Sequence, residues 1–531
     1  MTTVKGTIVS RNRKSLLVVP VIAIFALAVS SCSAAQPSSN PTSSGKQGDL
    51  LTVATNTPPT TLNPMQANPQ AGPVWATELA YAPLIQMDPD GSYSPALATS
   101  WKYVGSDNLK FELTLRKGAK FADGSPVDAA AVAASLKYGL KAGGQVAPWG
   151  GAISDVQAPT ESTVVISCST SCPVLPRTLN QNALLGDIIS PAGLKNQAKL
   201  GTETFGAGPY VLDASQTVAN DHYTYLPNKS YWNQSGIHYK KVILRIITNP
   251  DTEIQALNTG QVDLIDGIDG NNVSSVSSSE TIYSAPAAFE GLLLADRAGV
   301  VAPELKSLKV RQALNYAVDR KSITTALFGK YAQPTTQATG LGQDGYDKSL
   351  ESKYPYNPTK AKQLLAEAGY PNGFTIKVET QGFAGIQLMT QAMLSDWAKI
   401  GVKVNLTTDP TVATWIASVS TKKYPIVAYG YGGLPMYMQA INWYGTEAGP
   451  FNPFGVTDPQ LTAMLEKANN APASEQSRLY QAVTAYSVAQ AYAVPLSQID
   501  TGYAAGSKIH MSKPTEVNGY PNVATDVTPA G

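Results

Sequence analysis

Short segments rich in β-branched residues alternate with helix-like segments along the chain, and this alternation limits the possible folds more than any other feature. The strand-like segments, bounded by turn-forming residues, are Leu51–Thr55, Phe111–Leu115, Thr163–Ser167, Tyr223–Leu226, Lys241–Thr248, Gly291–Ala295, Thr375–Thr380 and Val402–Leu406. The helix-like segments are Asp128–Leu140, Val310–Val318, Ile323–Phe328, Pro358–Ala368 and Ile386–Ile400. Interleaved strands and helices predict an α/β fold. The length of 531 residues predicts two or more folding units.

Charge and composition favour solute binding over catalysis or nucleic-acid recognition. The chain has 39 Lys and Arg against 38 Asp and Glu, so its net charge of +1 provides no basic field for a nucleic acid. Three cysteines and three histidines leave little material for a zinc cluster, a haem site or histidine-based catalysis. The sequence also contains no P-loop, HExxH or GxSxG motif. We therefore expect no cofactor, no metal, no catalytic residue and no nucleic-acid partner.

The N-terminal segment is typical of an exported lipoprotein. Four basic residues precede an apolar run of 14 residues, Leu16–Val29, which is shorter than the roughly 20 residues of a membrane-spanning helix. The run leads into Ser30, Ser31 and Cys32, which resembles a lipobox, so residues 1–31 are predicted to be a signal peptide and Cys32 to carry lipid. Residues 32–48 are rich in Ser and Pro and predict a flexible tether. The protein is expected outside the cytoplasm, anchored to the cell membrane.

The other two cysteines, Cys168 and Cys172, remain once Cys32 is assigned to lipid. Disulfides persist in exported proteins, so a bridge between these two residues is predicted. A metal pair would need further ligands, and the sequence places no histidine or third cysteine nearby. Two free thiols are the remaining alternative.

Two other motifs match known patterns only in part. Residues 340–345 fit GxGxxG, but no strand precedes them and no helix follows, so a surface loop is predicted. Asp263, Asp266 and Asp269 recur at every third residue, a spacing compatible with calcium ligands, but the EF-hand order is missing. These three residues are predicted to be exposed loop acids.

A series of motifs follows in order along most of the mature chain. They are Thr61–Pro64, Leu84–Trp101, Phe111–Val127, Gly206–Tyr210, Asn228–Trp232, Gln255–Asp263, Val310–Arg320, Ala361–Phe374 and Ile400–Val404. In this order they resemble the bacterial extracellular solute-binding proteins of family 5, the peptide- and nickel-type receptors of ABC importers. Most of these residues have structural explanations such as turns and packed aromatic side chains, so the motifs identify the scaffold and not the ligand.

The resemblance implies the two-lobed fold of periplasmic binding proteins (class II), in which two α/β lobes are joined by a two-strand hinge. The implied boundaries are 49–80, 206–288 and 495–531 for the core of lobe one, 81–205 for an inserted subdomain of lobe one, and 289–494 for lobe two. The chain is expected to cross between the lobes near Phe289–Leu293 and Val494–Ser497. A ligand would lie between the lobes and be enclosed when they close. The implied protein is a monomer that delivers its ligand to permease subunits.

The resemblance also locates candidate ligand residues. Peptide receptors of the family hold the ligand's amino terminus with an aspartate in a Trp/Tyr-rich segment, and the corresponding segment here, Tyr424–Tyr437, has no acid. A peptide held through its backbone between aromatic walls and a neutral solute such as an oligosaccharide both remain open, and an extracytoplasmic hydrolase is the alternative from another class. The candidate ligand residues are Gly72, Pro73, Val74, Trp149, Gly150, Trp415, Tyr429, Tyr431 and Trp443.

Overall fold

The computed structural model describes most of the chain downstream of the predicted tether. The described residues are 47–68, 72–143, 146–270, 272–382, 384–432, 435–445, 449–513 and 521–530. The predicted signal peptide, Cys32 and residues 32–46 of the predicted tether lie outside them. Across the described ranges, no helix combines the length and the apolar character that crossing a membrane requires.

Strands and helices alternate, as the sequence predicts. The strands are β1 Leu51–Thr55, β2 Ile85–Met87, β3 Tyr93–Pro95, β4 Ala98–Tyr103, β5 Lys110–Leu115, β6 Ile153–Thr160, β7 Thr163–Cys168, β8 Tyr210–Leu212, β9 His222–Pro227, β10 Val242–Ile246, β11 Leu264–Ile268, β12 Thr281–Leu294, β13 Ala332–Pro334, β14 Thr375–Gln381, β15 Lys403–Asp409, β16 Ile426–Gly432, β17 Ala493–Ala505, β18 Ile509–Met511 and β19 Val527–Pro529. The α-helices are α1 Trp75–Glu78, α2 Ala129–Gly139, α3 Leu175–Thr178, α4 Pro191–Lys195, α5 Pro250–Asn258, α6 Leu308–Tyr316, α7 Arg320–Phe328, α8 Pro358–Glu367, α9 Ala384–Ala398, α10 Val412–Val419, α11 Met436–Tyr444, α12 Pro459–Asn469 and α13 Ala473–Ala489.

One large sheet connects two groups of parallel strands. Its order is β15-β14-β16-β12-β17-β11-β1-β10-β9-β8, and β13 also pairs with β17. β1 is parallel to β10 and β11, and β14 is parallel to β15 and β16. Between the groups, β12 and β17 pair antiparallel from Thr281 opposite Ala505 to Leu293 opposite Ala493. We call the half around β1 lobe one, the half around β14 lobe two, and β12 with β17 the crossing strands.

Lobe one carries a second, smaller sheet. Its four strands, in the order β4-β5-β7-β6, pair antiparallel with each neighbour. Alternate residues of β7 point inward, and Val164 and Ile166 are fully buried, the pattern of a strand with one face on a core. Helix α2 begins where Asp128 Oδ1 accepts a hydrogen bond from Ala131 N at 2.8 Å, which caps the helix. Small-sheet and large-sheet residues of lobe one share one hydrophobic core.

The sheet of lobe two is covered on both faces. One core includes Leu292, Val378 and Trp397 and packs helices α6, α8 and α9 on the sheet. The other core includes Phe289 and Tyr429 and contains residues of α10, α11, α12 and α13. Because successive side chains of a strand point to opposite faces, the crossing strand β12 contributes to both cores. Most of the buried aromatic side chains of lobe two lie in the second core.

Candidate functional site

Three of the predicted ligand residues lie in one aromatic cluster of lobe two beside a crossing strand, and a fourth joins it through a phenylalanine. Phe289 on β12 lies opposite Tyr431 on β16 in the strand register. The ring of Trp443, on α11, lies 4.8 Å from that of Tyr429 and 5.4 Å from that of Tyr431. These centroid distances are those of favourable aromatic pairs. The aromatic cluster consists of Phe289, Trp415, Tyr429, Tyr431, Trp443 and Phe451.

Phe289 and Phe451 were not among the sequence candidates, although both hold the cluster together. Trp443 stacks on Phe451 at 5.7 Å, and Trp415 reaches the cluster through Phe451 at 5.9 Å. Phe289 stands at the predicted crossing, so its position in the sequence was a usable signal. Phe451 follows α11 in a loop, and nothing in its local sequence indicates these contacts.

Three polar atoms of the aromatic cluster have no hydrogen-bond partner within the described residues. They are Trp415 Nε1, Tyr429 OH and Trp443 Nε1, on side chains that are 2%, 0% and 1% exposed. By contrast, Tyr431 OH accepts a hydrogen bond from Asn442 Nδ2 at 2.9 Å. A buried polar group without a partner costs about 1–3 kcal/mol. The aromatic cluster therefore offers neutral donors to any acceptor that reaches it.

On lobe one, Gly72 lies against the last residue of β1 and the middle residue of β11. Its φ is +78°, and a Cβ at this position would lie 2.0 Å from Thr55 Oγ1 and 2.5 Å from Asp266 Oδ2. Thr55 ends β1 and donates a hydrogen bond to Asp266 of β11 at 3.1 Å. Pro73 and Val74 follow as buried residues leading into α1. Only glycine fits at residue 72 without a steric clash.

The expectation that Asp263, Asp266 and Asp269 form an exposed acidic loop is wrong for Asp266. This residue belongs to β11 and is buried, and its carboxylate accepts the Thr55 hydrogen bond. Burial raises the pKa of Asp266 and also the pKa of Glu253, and the charge of Asp266 raises the pKa of Glu253 further. Asp263 Oδ2 is held by the backbone N–H of Thr52 at 2.8 Å. Among the described residues, no group of three or more acidic, His or Cys side chains could hold a metal ion.

The remaining lobe-one candidates, Trp149 and Gly150, lie in a short 3-10 turn, Ala147–Gly150, away from Gly72 in the chain. The side chain of Trp149 lies outside the described residues. A Cβ on Gly150 would lie 2.5 Å from Leu140 Cδ2 and 3.1 Å from Leu185 Cδ2. Close packing against these two leucines explains this glycine without a ligand.

The two lobes contact each other beside the aromatic cluster. Ser171 Oγ and Asn108 Nδ2, both on lobe one, donate hydrogen bonds to the carbonyl of Asn469 in α12, at 2.7 and 3.2 Å. Val174 of lobe one packs into the core that holds the aromatic cluster. Cys168 and Cys172 are joined by a disulfide, so the bridged loop is the one that carries Ser171. No local pattern indicates these contacts, because the two hydrogen bonds join residues 298 and 361 positions apart.

The crossing strand β12 carries a buried acid, Glu290. Glu290 of β12 is opposite Gly430 of β16 and Ser497 of β17, and it is 9% exposed. Its Oε2 and the hydroxyl of Ser497 are both buried without a partner among the described residues. Burial raises the pKa of Glu290 to about 8. This carboxyl is therefore mostly protonated at neutral pH.

Comparison with known proteins agrees with this architecture. A family model described as "Bacterial extracellular solute-binding proteins, family 5 Middle" matches residues 92–451. The chain is 28% identical over 366 residues to the glutathione-binding protein GsiB of Salmonella paratyphi A, covering 67% of this chain and 69% of that protein.

Solved structures with the same fold cover nearly the whole described body. The binding protein AgaA of A. tumefaciens R10, in complex with agropinic acid, is 25% identical with a TM-score of 0.74, covering 91% of this chain and 99% of that one. The binding protein DppA of Helicobacter pylori, in complex with the peptide STSA, is 23% identical with a TM-score of 0.74 and the same coverage. The predicted two-lobed α/β fold and the predicted role as the substrate-binding component of an ABC importer are confirmed. The chain belongs to the bacterial extracellular solute-binding proteins of family 5.

Proposed function

We propose that this protein binds a short peptide or a peptide-like solute between its lobes and passes it to the permease subunits of an ABC importer. The observation that carries the proposal is the aromatic cluster beside the crossing strands, with its three unpaired neutral donors. Peptide carbonyls are neutral acceptors that such donors satisfy, and aromatic rings provide walls for the chain between them. The similarity to a glutathione-binding protein and to a protein solved with a peptide supports the same solute class.

This mode of binding does not require an acid in the segment Tyr424–Tyr437. The peptide is held through main-chain carbonyl groups, so the free amino group is not the main point of recognition. Separation of the lobes gives the solute access to the aromatic cluster, and closure then removes the solute from water, which strengthens each polar contact. The cross-lobe hydrogen bonds to the carbonyl of Asn469 stabilise the closed arrangement.

A neutral non-peptide solute such as an oligosaccharide is the second candidate, because flat aromatic rings also bind sugar faces. The structure of AgaA in complex with agropinic acid supports a non-peptide cargo on the same scaffold. A hydrolase is the candidate from another class, and the family consists of binding proteins. Recovery of the bound solute unchanged after prolonged incubation is expected, and turnover that a single substitution abolishes would favour the hydrolase.

We also propose that the protein is anchored to the cell membrane by a lipid. Cys32 carries the lipid that holds the protein at the outer face of the cell membrane, residues 32–48 act as the tether, and the body works as a monomer. Mass spectrometry of the purified protein should find a diacylglycerol adduct on Cys32. A Cys32→Ala variant should appear in the soluble extracytoplasmic fraction, and retention of that variant in the membrane would contradict the anchor.

The solute class can be tested by direct binding. Solutes co-purified with the protein are identified by mass spectrometry, and the protein is titrated calorimetrically with glutathione, a dipeptide library and an oligosaccharide library. Trp443→Phe keeps the aromatic ring but removes the indole donor, and we expect a loss of about 1 kcal/mol, or roughly fivefold in affinity. Trp101→Phe, on β4 of lobe one, is the matched control and should bind normally. Small-angle scattering should show compaction with the bound solute; absence of compaction with every solute would refute the proposal.

A further inference from the structure

A cavity of about 250 Å³ lies within lobe one. Three parts of the chain line it, within residues 78–96, 209–233 and 522–526. None of its lining residues belongs to lobe two or to a crossing strand. It is therefore separate from the aromatic cluster and from the solute site proposed above. We call it the acidic pocket, for the residues described next.

The lining of the acidic pocket combines acids with aromatic rings. Glu78, Asp88 and Asp526 provide the acids, and Tyr81, Tyr231 and Trp232 provide the rings. No Lys, Arg or His occurs among the lining residues, all of which lie in the described part of the chain.

The nearest cation that the structure ties to this lining is already engaged. The guanidinium of Arg116 lies 3.8 Å from the centre of the Trp232 ring, and its Nε donates to the carbonyl of Ala96 at 3.0 Å. Arg116 itself is not a lining residue. It therefore covers one side of Trp232 and bonds to the backbone, and it makes no ion pair with the pocket acids in the described residues.

Glu78 is the least compensated group of the acidic pocket. Its side chain is on α1 and the residue is 2% exposed, yet neither carboxyl oxygen has a hydrogen-bond partner within the described ranges. The charged groups that act on it are Asp187, which is also fully buried with both oxygens unpaired, and Asp526. Burial and these two acids raise the pKa of Glu78 well above its ordinary value. An unpaired buried carboxyl destabilises the fold unless something compensates it.

The second acid, Asp526, is better held but also lacks a cation. Its Oδ2 accepts from the N–H of Asn522 at 2.9 Å and its Oδ1 accepts from Thr525 Oγ1 at 2.9 Å. Burial raises its pKa, and the nearby charge of Asp88 raises it further. Asp526 is therefore fixed in position by neutral donors, and no cation pairs with it among the described residues.

We propose that the acidic pocket binds a small organic cation, a primary ammonium group on a short alkyl chain, with the carboxylate forms of Glu78 and Asp526 compensating the charge and Trp232 and Tyr81 packing the alkyl part. Glu78 releases its proton to the solvent when the ammonium group enters, so the charge of the pocket and its ligand balances. Aromatic rings attract organic cations through their faces, and alkyl groups gain from burial against them. A metal ion fits less well, because no group of three or more potential ligands in the described residues is arranged to hold one. The volume of about 250 Å³ accommodates a ligand of a few non-hydrogen atoms.

The test is a calorimetric titration of the purified protein with n-butylamine hydrochloride. We expect saturable one-to-one binding that butan-1-ol, a neutral compound of similar size, does not reproduce. Glu78→Gln, which keeps the side-chain shape, should lower the affinity for n-butylamine at least tenfold. Glu161→Gln, at an exposed residue of lobe one, is the matched control and should bind as the parent does.

The proposal would be overturned by equal binding of butan-1-ol, by equal affinity of Glu78→Gln and the parent for n-butylamine, or by the absence of saturable binding of the amine. Saturable binding of calcium chloride in place of the amine would assign the pocket to a metal ion and also overturn it. If Glu78→Gln does not fold, Asp526→Asn is the second variant. We expect it to lower the affinity for n-butylamine tenfold or more as well. Binding of the interlobe solute is measured in a separate titration and should persist in both variants. Failure of either proposal is therefore distinguishable from failure of the other.

Discussion

Glu290→Gln should change how the stability of this protein depends on pH. Glu290 lies on a crossing strand, opposite Gly430 of β16 and Ser497 of β17, and it is 9% exposed. Its pKa is about 8 because burial disfavours the charged form, against an ordinary value of 4.5. Gln has nearly the same shape as a protonated Glu and never ionises. The substitution therefore removes the titration while leaving the packing almost unchanged.

The sign and size of the effect follow from the two pKa values. Between pH 4.5 and pH 8 the folded protein keeps the proton on Glu290 whereas the unfolded chain has released it, so the free energy of unfolding falls as pH rises. Above pH 8 both states are ionised and no further loss occurs. Each unit of difference between the folded and unfolded pKa is worth 1.36 kcal/mol, so the loss in free energy of unfolding has an upper limit of about 5 kcal/mol. That is a large fraction of the roughly 5–15 kcal/mol by which proteins are stable.

Urea denaturation, followed by tryptophan fluorescence at pH 5, 6, 7, 8 and 9, measures the effect. The advantage of Glu290→Gln over the parent should grow steadily from pH 5 and level off above pH 8. Other buried carboxyls titrate in both proteins, so subtracting the two curves isolates residue 290. Exposed Glu161→Gln should give a flat difference across the same range. A flat difference for Glu290→Gln as well would refute the inference that burial holds this carboxyl protonated.

Two further substitutions test the contacts described above. Gly72→Ala should lower the free energy of unfolding by about 3 kcal/mol or more, because the new Cβ would lie 2.0 Å from a neighbouring side-chain oxygen. Gly118 is the control, because it has a similar φ of +77° but no heavy atom within 4 Å of a Cβ. Gly118→Ala should lower the free energy of unfolding by only about 1 kcal/mol in the same urea assay. Ser171→Ala removes a hydrogen bond between the lobes, so the affinity for the interlobe solute should fall roughly fivefold by calorimetry. Ser154→Ala, whose hydroxyl bonds within lobe one, should leave that affinity unchanged, and equal effects of both serine variants would contradict the closing role of Ser171.

Sequence patterns located the elements whose own residues have a clear preference for a strand or a helix. The predicted strand Leu51–Thr55 agrees with β1 residue for residue, and Pro358–Ala368 differs from α8 by one residue at its end. By contrast, β12 was predicted only as Gly291–Ala295 but begins at Thr281. Residues 284–288, Ser-Ala-Pro-Ala-Ala, interrupt its strand-like pattern with small residues and a proline. This part is extended because β17 pairs with β12 along almost its whole length. Pairing between distant segments overrides local propensity here.

The candidate site likewise contains residues that the sequence predicts and residues that only tertiary packing brings to it. Tyr429, Tyr431 and Trp443 were predicted from their residue types and a position in the family pattern, and they do lie together. Their neighbour Phe451 and the cross-lobe serine, Ser171, escaped prediction because each contact depends on three-dimensional packing of segments far apart in the chain. A single sequence does not record which distant segments meet.

The described contacts suggest how a solute controls closure in the proposed mechanism. The two cross-lobe hydrogen bonds to Asn469 contribute about 1 kcal/mol each. Against them, closure without a solute leaves the donors of Trp415, Tyr429 and Trp443 buried and unpaired, at about 1–3 kcal/mol each. The empty protein therefore gains little free energy by closing. A solute with three suitably placed acceptors pairs with the three donors and removes most of the cost of burying them. The resulting difference of several kcal/mol is close to the roughly 5.5 kcal/mol that moves a two-state equilibrium from 1:99 to 99:1. Solutes that lack acceptors at these positions should bind without closing the lobes, and a permease that recognises the closed form would then ignore them.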